Sequence, residues 1–146
     1  MNPLPPPDDV DRLPLCDDEL DLLAGWVDLS SAELVELGCG EARLARALLQ
    51  RFTGARLTGM EVDSRQHARN LAQPQERLRF LAGAAQAIAL DDASVDGALM
   101  LKSLHHVPMP LMAQALGEVA RVLRPGGWLY VSERSEEHTS ELQSRV

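Results

Sequence analysis

The stretch that decides the fold is Glu33–Ala45, which reads ELVELGCGEARLA. Glu33–Leu37 is short and largely apolar, as a strand should be, and Gly38-Cys39-Gly40 follows at once. From Glu41 onward, EARLARALLQRF sets Leu44, Ala47, Leu48 and Phe52 along one helical face, with Arg43, Arg46 and Gln50 toward the other. The unit is strand, glycine turn, helix. Glycines at 38 and 40 allow a ligand to approach the backbone where a Cβ would obstruct it. The start of the following helix presents backbone N–H groups without intrahelical partners.

Downstream, the same alternation continues. Gly54 ends the helix, and Ala55–Val62 (ARLTGMEV) predicts a second strand. Asp63-Ser64 offers a cap into a helix over RQHARNLAQ, which Pro74 closes. Leu78–Leu81 predicts a third strand, and Ser94–Leu101, almost wholly apolar, predicts a fourth covered on both faces. Leu111, Ala115, Val119 and Val122 mark a helix over 111–123 that Arg124-Pro125-Gly126-Gly127 breaks, and WLYVSE predicts a fifth strand. Upstream, Asp17–Val27 has an acidic first turn and Leu20, Leu23 and Val27 at helical spacing. This order predicts an α/β fold, a doubly wound and mostly parallel Rossmann-like sheet of five strands joined by right-handed crossovers. Residues 1–14 (MNPLPPPDDVDRLP) predict a proline-rich disordered lead, and 15–133 the folded domain.

Composition narrows the function. A chain of 146 residues with 45% hydrophobic and 25% charged residues holds one core of ordinary globular type. The net charge of −8 argues against general nucleic-acid binding, since little would neutralise phosphates. Cys16 and Cys39 make neither a disulfide framework nor a metal spacing, and no apolar run is long enough for a membrane span. A cytoplasmic location is the expectation.

Residues 134–146 stand apart. RSEEHTSELQS, Arg134–Ser144, reverse-translates codon by codon into a widely used sequencing-adapter oligonucleotide. The body reads as GC-rich, with eleven Arg against the single Lys102 and abundant Ala, whereas the tail has no Ala. Arg134–Val146 is therefore expected to be a non-native tail. Genomic DNA encoding the same residues after Glu133 would overturn that expectation.

In an open α/β sheet, ligands bind beyond the carboxyl ends of the strands where strand order reverses, and the Gly38–Gly40 turn falls there. Glu61, at the end of the second strand, has the place and chemistry to accept hydrogen bonds from both hydroxyls of a ribose. Any adenosine-containing cofactor satisfies this much. A nicotinamide fingerprint wants a small residue at 43, where Arg43 stands, whereas E-x-G-x-G-x-[G/A] wants it at 42, where Ala42 stands. A nicotinamide oxidoreductase is thus disfavoured, and no Walker loop occurs.

Taken together, VELGCGEARLA, LTGMEVD, LAGAAQAIALDDASVDGAL, SLHHV and LGEVARVLRPGGWLYVSE, in this order over Glu33–Glu133, resemble the class I S-adenosylmethionine-dependent methyltransferases. The resemblance is to their small-molecule branch, which includes the ubiquinone and menaquinone enzymes. It implies S-adenosyl-L-methionine as cofactor, a small-molecule methyl acceptor and in-line methyl transfer. It further implies that Glu36, Gly38, Cys39 and Gly40 surround the methionine end and that Glu61 binds the ribose. Val62 would pack on the adenine, Ala84 and Ala85 would meet its edge, and the Leu101 backbone would face the methionine amine. Two departures stand out: Ala42 replaces the usual third glycine, and Ala84 stands where the family often has an acid for the adenine amino group. The family's sheet usually carries two further strands. Their absence here implies impaired turnover and an exposed edge beside the fifth strand.

Other residues admit plainer roles. Cys39 reads as a small turn residue rather than a catalytic thiol, Asp96 as a cap on the fourth strand, and Trp26 and Trp128 as packing. His105 and His106 at the rim either contact cofactor or substrate or pack the loop. The sequence names no catalytic base and no oligomeric state. A non-catalytic binding module of the same fold is the competing reading.

Overall fold

The computed structural model describes residues 18–101, 107–134 and 139–145. The proline-rich lead and the His105-His106 pair lie outside them. Helix α1 covers residues 18–26, and strand β1 is Glu33–Leu37, running directly into the glycine turn. Helix α2 is Arg43–Arg51, β2 is Arg56–Glu61, α3 is Ser64–Leu71 and β3 is Leu78–Ala82. After an irregular crossing come β4, Val95–Leu101, a short 3-10 turn at Met109–Leu111, and α4, Met112–Val122. Strand β5 is Leu123–Arg134 and β6 is Thr139–Arg145.

Local chemistry accounts for these boundaries. Asp63 caps α3: its carboxylate accepts from the backbone N–H groups of Arg65 and Gln66 at 2.9 and 3.2 Å. Strand β5 starts earlier than the sequence predicts. Leu123 pairs with Val95 before Trp128 pairs with Gly97, so 124–127 bulge out of the ladder, with Gly126 at φ 81°.

The sheet order is β3-β2-β1-β4-β5-β6, the first five strands parallel. The chain winds outward from β1 to β3, then returns to β4 on the other side of β1. That reversal, between β1 and β4, is the switch point expected from the sequence. Strand β6 is additional. It pairs antiparallel with β5 from Trp128↔Arg145 to Arg134↔Thr139. Within this chain the fifth strand's edge is covered, by residues that the sequence reading sets outside the domain. The physical reason is general: an unpaired edge offers a row of N–H and C=O groups to any chain in reach.

Two cores lie on opposite faces of the sheet. On one, Leu20, Leu23 and Leu29 from the α1 region and Leu44, Leu48 and Leu49 of α2 pack on Leu34, Leu57, Leu99 and Tyr130. On the other, Val119 and Val122 of α4 pack on Val35, Leu37, Met100 and Val131. Trp26 lies edge-on to Trp128 with ring centroids 5.6 Å apart, the packing role expected of both. A buried polar tie joins α1 to β5: the Glu19 carboxylate accepts from the Tyr130 hydroxyl at 2.7 Å and the Ser132 hydroxyl at 2.6 Å. Asp96 is structural, as expected. It accepts from the Glu33 N–H at 2.8 Å and pairs with Arg124 at 3.0 Å, tying β1, β4 and the 124–127 bulge.

Candidate functional site

At the carboxyl ends of β1, β2 and β4 lies a cleft of about 560 Å³. Gly38, Gly40, Glu61, Val62, Ala84 and Ala85 all line it. Six of the nine residues named from the sequence thus converge on one cavity, although 47 positions separate the first from the last. Leu37, Gly83, Gln86, Met100, Val107 and Pro108 complete the wall. Sequence periodicity gives no cue to these, because their place follows from where the chain leaves each strand.

The glycine turn requires its glycines. Gly38 and Gly40 have φ of 68° and 55°, in the left-handed region that side chains disfavour. Ala42, the N-cap of α2, sits at φ 62° in the same region, so the residue replacing the family's third glycine occupies a glycine conformation. Its side chain is fully buried against the first core.

Glu61 is 9% exposed and already engaged. One carboxylate oxygen accepts the Gly40 N–H at 2.7 Å, and the other accepts the Asp63 N–H at 3.0 Å. Glu61 therefore ties the end of β2 to the glycine turn. Each oxygen has a further lone pair, so two vicinal hydroxyls still find acceptors there.

Opposite Glu61's grip, the buried Asn70 of α3 donates from Nδ2 to the Gly40 carbonyl at 2.8 Å. Gly40 is thus held through both its N–H and its carbonyl. Asn70 was invisible to the sequence reading, which treats a polar residue in a polar helix as solvated. Only its contact with a turn 30 positions earlier reveals its task.

Three named residues do not line the cleft. Glu36 lies behind the turn, 3% exposed, and its Oε1 has no hydrogen-bond partner among the described residues. Burial, and secondly the charge of Glu61, raise its carboxyl pKa to about 8. Cys39 turns its thiol away from the cleft toward Gly59 and Asn70, where Asn70 Nδ2 lies 3.8 Å from the sulfur. Burial foremost, then the charges of Glu36 and Glu61, push that thiol up to about 12, so it is protonated and unreactive. Leu101 packs its side chain on the first core, while its neighbour Met100 faces the cleft, as alternation along β4 demands.

The site therefore combines a glycine turn, a hydrogen-bonding carboxylate and an apolar shelf. Glu61 beside that turn fits the vicinal hydroxyls of a ribose, which an adenosyl ligand supplies. Among the described residues no cluster of His, Cys, Asp or Glu forms a metal site, and no helix is long and apolar enough to cross a membrane.

Comparison with known proteins agrees with this geometry. A methyltransferase-domain family model matches residues 35–131. A fatty-acid O-methyltransferase of Mycolicibacterium smegmatis is 35% identical over 119 residues, 76% of this chain and 40% of that protein. A ubiquinone biosynthesis O-methyltransferase of Paracidovorax citrulli is 30% identical, over 76% of this chain and 49% of its own length. The chain thus spans less than half the length of these relatives. Among solved structures, a SAM-dependent methyltransferase of Aquifex aeolicus superposes with a TM-score of 0.77 at 20% identity, covering 90% of this chain and 71% of that one, which speaks to the fold. The chain belongs to the class I S-adenosylmethionine-dependent methyltransferase family.

Proposed function

We propose that the cleft binds S-adenosyl-L-methionine and that the protein transfers its methyl group to a small-molecule acceptor. One observation carries the reading: Glu61, the glycines of the Gly38–Gly40 turn and the Gly83–Gln86 segment, distant in sequence, line a single cavity. Glu61 would accept the ribose hydroxyls, Val62 and Ala84-Ala85 would flank the adenine, and Glu36 with the turn would receive the amino-acid end. The small-molecule character of the acceptor is supported by the O-methyltransferases that the chain resembles.

When bound, the cofactor supplies a methyl group already made electrophilic by sulfonium charge, with a neutral thioether as leaving group. The chain's own contribution is then binding and alignment, which lowers the barrier by fixing the attack geometry. The glycine turn admits close backbone approach, and the double grip on Gly40 keeps its shape before any ligand arrives. No described side chain in the cleft is placed as a general base.

Isothermal titration calorimetry of the whole chain with S-adenosyl-L-methionine tests the reading. Binding should be saturable, and Glu61→Ala should weaken it tenfold or more, since hydrogen bonds to a charged group are worth about 1.5–3 kcal/mol. No binding by the unaltered chain, or tighter binding of a reduced nicotinamide dinucleotide, would overturn it. Binding without methyl transfer across a broad acceptor panel would favour a non-catalytic module.

A further inference from the structure

The Gly83–Gln86 wall of the cleft belongs to a segment, 83–94, that is neither helix nor strand. Its own backbone hydrogen bonds are few: Ala87 N–H to the Ala84 carbonyl at 3.1 Å and Leu90 N–H to the Ile88 carbonyl at 2.9 Å. Its first residue is tied to β2, where the Gly83 N–H donates to the Glu61 carbonyl at 3.1 Å, and the rest takes its shape from α4. Gln114, Glu118 and Arg121 are spaced by four and then three residues, so they share one face of that helix. It is not the face that carries Ala115, Val119 and Val122 into the core.

Each of the three grips the segment. Gln114 Nε2 donates to the Gln86 carbonyl at 2.9 Å, and the Ile88 N–H donates to Glu118 Oε1 at 2.9 Å. The Arg121 guanidinium donates to the carbonyls of Ile88 at 2.7 Å and Leu90 at 2.9 Å, and pairs with Asp92 and Glu118 at 2.7 Å each. Arg121's hydrogen bonds hold Glu118 below the ordinary carboxylate range, and Glu118's raise Arg121 further, so both stay charged at neutral pH. A planar guanidinium satisfied on several sides has one orientation, unlike a lysine ammonium.

We propose that Gln114, Glu118 and Arg121 are positioning residues: with Gly83 bonded to β2, α4 holds the far part of the wall, Ala84–Gln86, in place against the cleft and thereby sets affinity for the nucleobase end of the ligand. The ligand half of this inference rests on the reading that the cleft takes an adenosyl group. The holding half does not.

The experiment separates the two. Amide hydrogen exchange on the ligand-free chain is compared for the unaltered protein, Arg121→Gln, Glu118→Gln and a remote control, Arg51→Gln, which breaks the exposed Arg51–Asp21 pair at 2.6 Å. Calorimetry with 5′-methylthioadenosine, which has the nucleobase but no amino-acid end, follows on each. Arg121→Gln should speed exchange at Ala87, Ile88 and Leu90 while β1 and β2 stay protected, and should weaken methylthioadenosine about tenfold, the scale of lost charge-assisted hydrogen bonds. Glu118→Gln, which retains one acceptor oxygen, should show a smaller change in both, and the Arg51 control none. Unchanged exchange at 87–90, or a rise spread equally through β1 and β2, overturns the holding role. Changed exchange with unchanged methylthioadenosine affinity overturns the link to the ligand. If the unaltered chain binds neither adenosyl compound, the proposed function falls, and the exchange data alone decide whether α4 holds the wall.

Discussion

Ala42 carries the one cost in the glycine turn that a single atom removes. Its φ of 62° places a Cβ where the left-handed conformation crowds the following carbonyl, at about 1–2 kcal/mol. Ala42→Gly removes that cost and gives back part of it through unfolded-state entropy and a lost buried methyl. The variant should therefore be more stable by up to about 1 kcal/mol, read as a higher urea midpoint with unchanged slope. Glu36 makes the complementary prediction. Its folded carboxyl is pushed up to about 8, against 4.5 for a free glutamate, so between those limits the folded state binds the extra proton. Stability contributed at this position is full below about pH 4.5, falls as pH rises to about 8, and is flat above. Glu36→Gln, neutral at every pH, should match the unaltered chain near pH 4.5 and exceed its melting temperature by several degrees at pH 8.5. Equal melting temperatures at both pH values would show that Glu36 is not buried as a neutral acid. The sequence located Glu36 beside the turn, but its isolation depends on what fails to reach it, which no motif encodes.

Helices here serve the site through their far faces. The sequence reading recovers α1, α2 and α4 from apolar spacing, and α3 from its Asp63 cap and closing Pro74, because those signals are local. Asn70 and the Gln114–Glu118–Arg121 stripe escape it, since polar residues at helical spacing look the same whether they meet water or a neighbouring carbonyl. For α3 the consequence is measurable. Asn70→Ala leaves the part-buried Gly40 carbonyl without its side-chain donor and should destabilise the chain by about 1–2 kcal/mol in urea denaturation. It should also weaken cofactor binding, because the turn loses one of its two holds. Asn70→Ala with full affinity would mean that Glu61 alone fixes the turn. The first five strands are legible for the same reason as the helices, and their parallel pairing follows from the alternation, whereas β6 is not legible. The RPGG segment was placed as a break before β5, whereas the structure pairs Leu123 already, ahead of a bulge that pairing with Val95 creates and periodicity cannot display.

Across the whole molecule, the sheet is asymmetric: its β3 end closes a compact parallel unit, and its β5 end depends on β6. Deleting residues 135–146 removes that antiparallel partner and bares the β5 ladder. The shortened chain should self-associate, eluting earlier and with a concentration-dependent volume in size-exclusion chromatography. A monomer at every concentration would mean that β5 needs no cover. The pairing of β6 with β5 runs through seven consecutive registers although TSELQSR has no apolar alternation of the strand kind. Ladder hydrogen bonds are made by the main chain, which every residue but proline carries in full, so a rewritten last strand is expected to keep this register. A seven-residue epitope or a fluorogenic peptide written over 139–145, or supplied in trans to the shortened chain, should zip onto the same ladder and turn it into a docking rail for reporter tags.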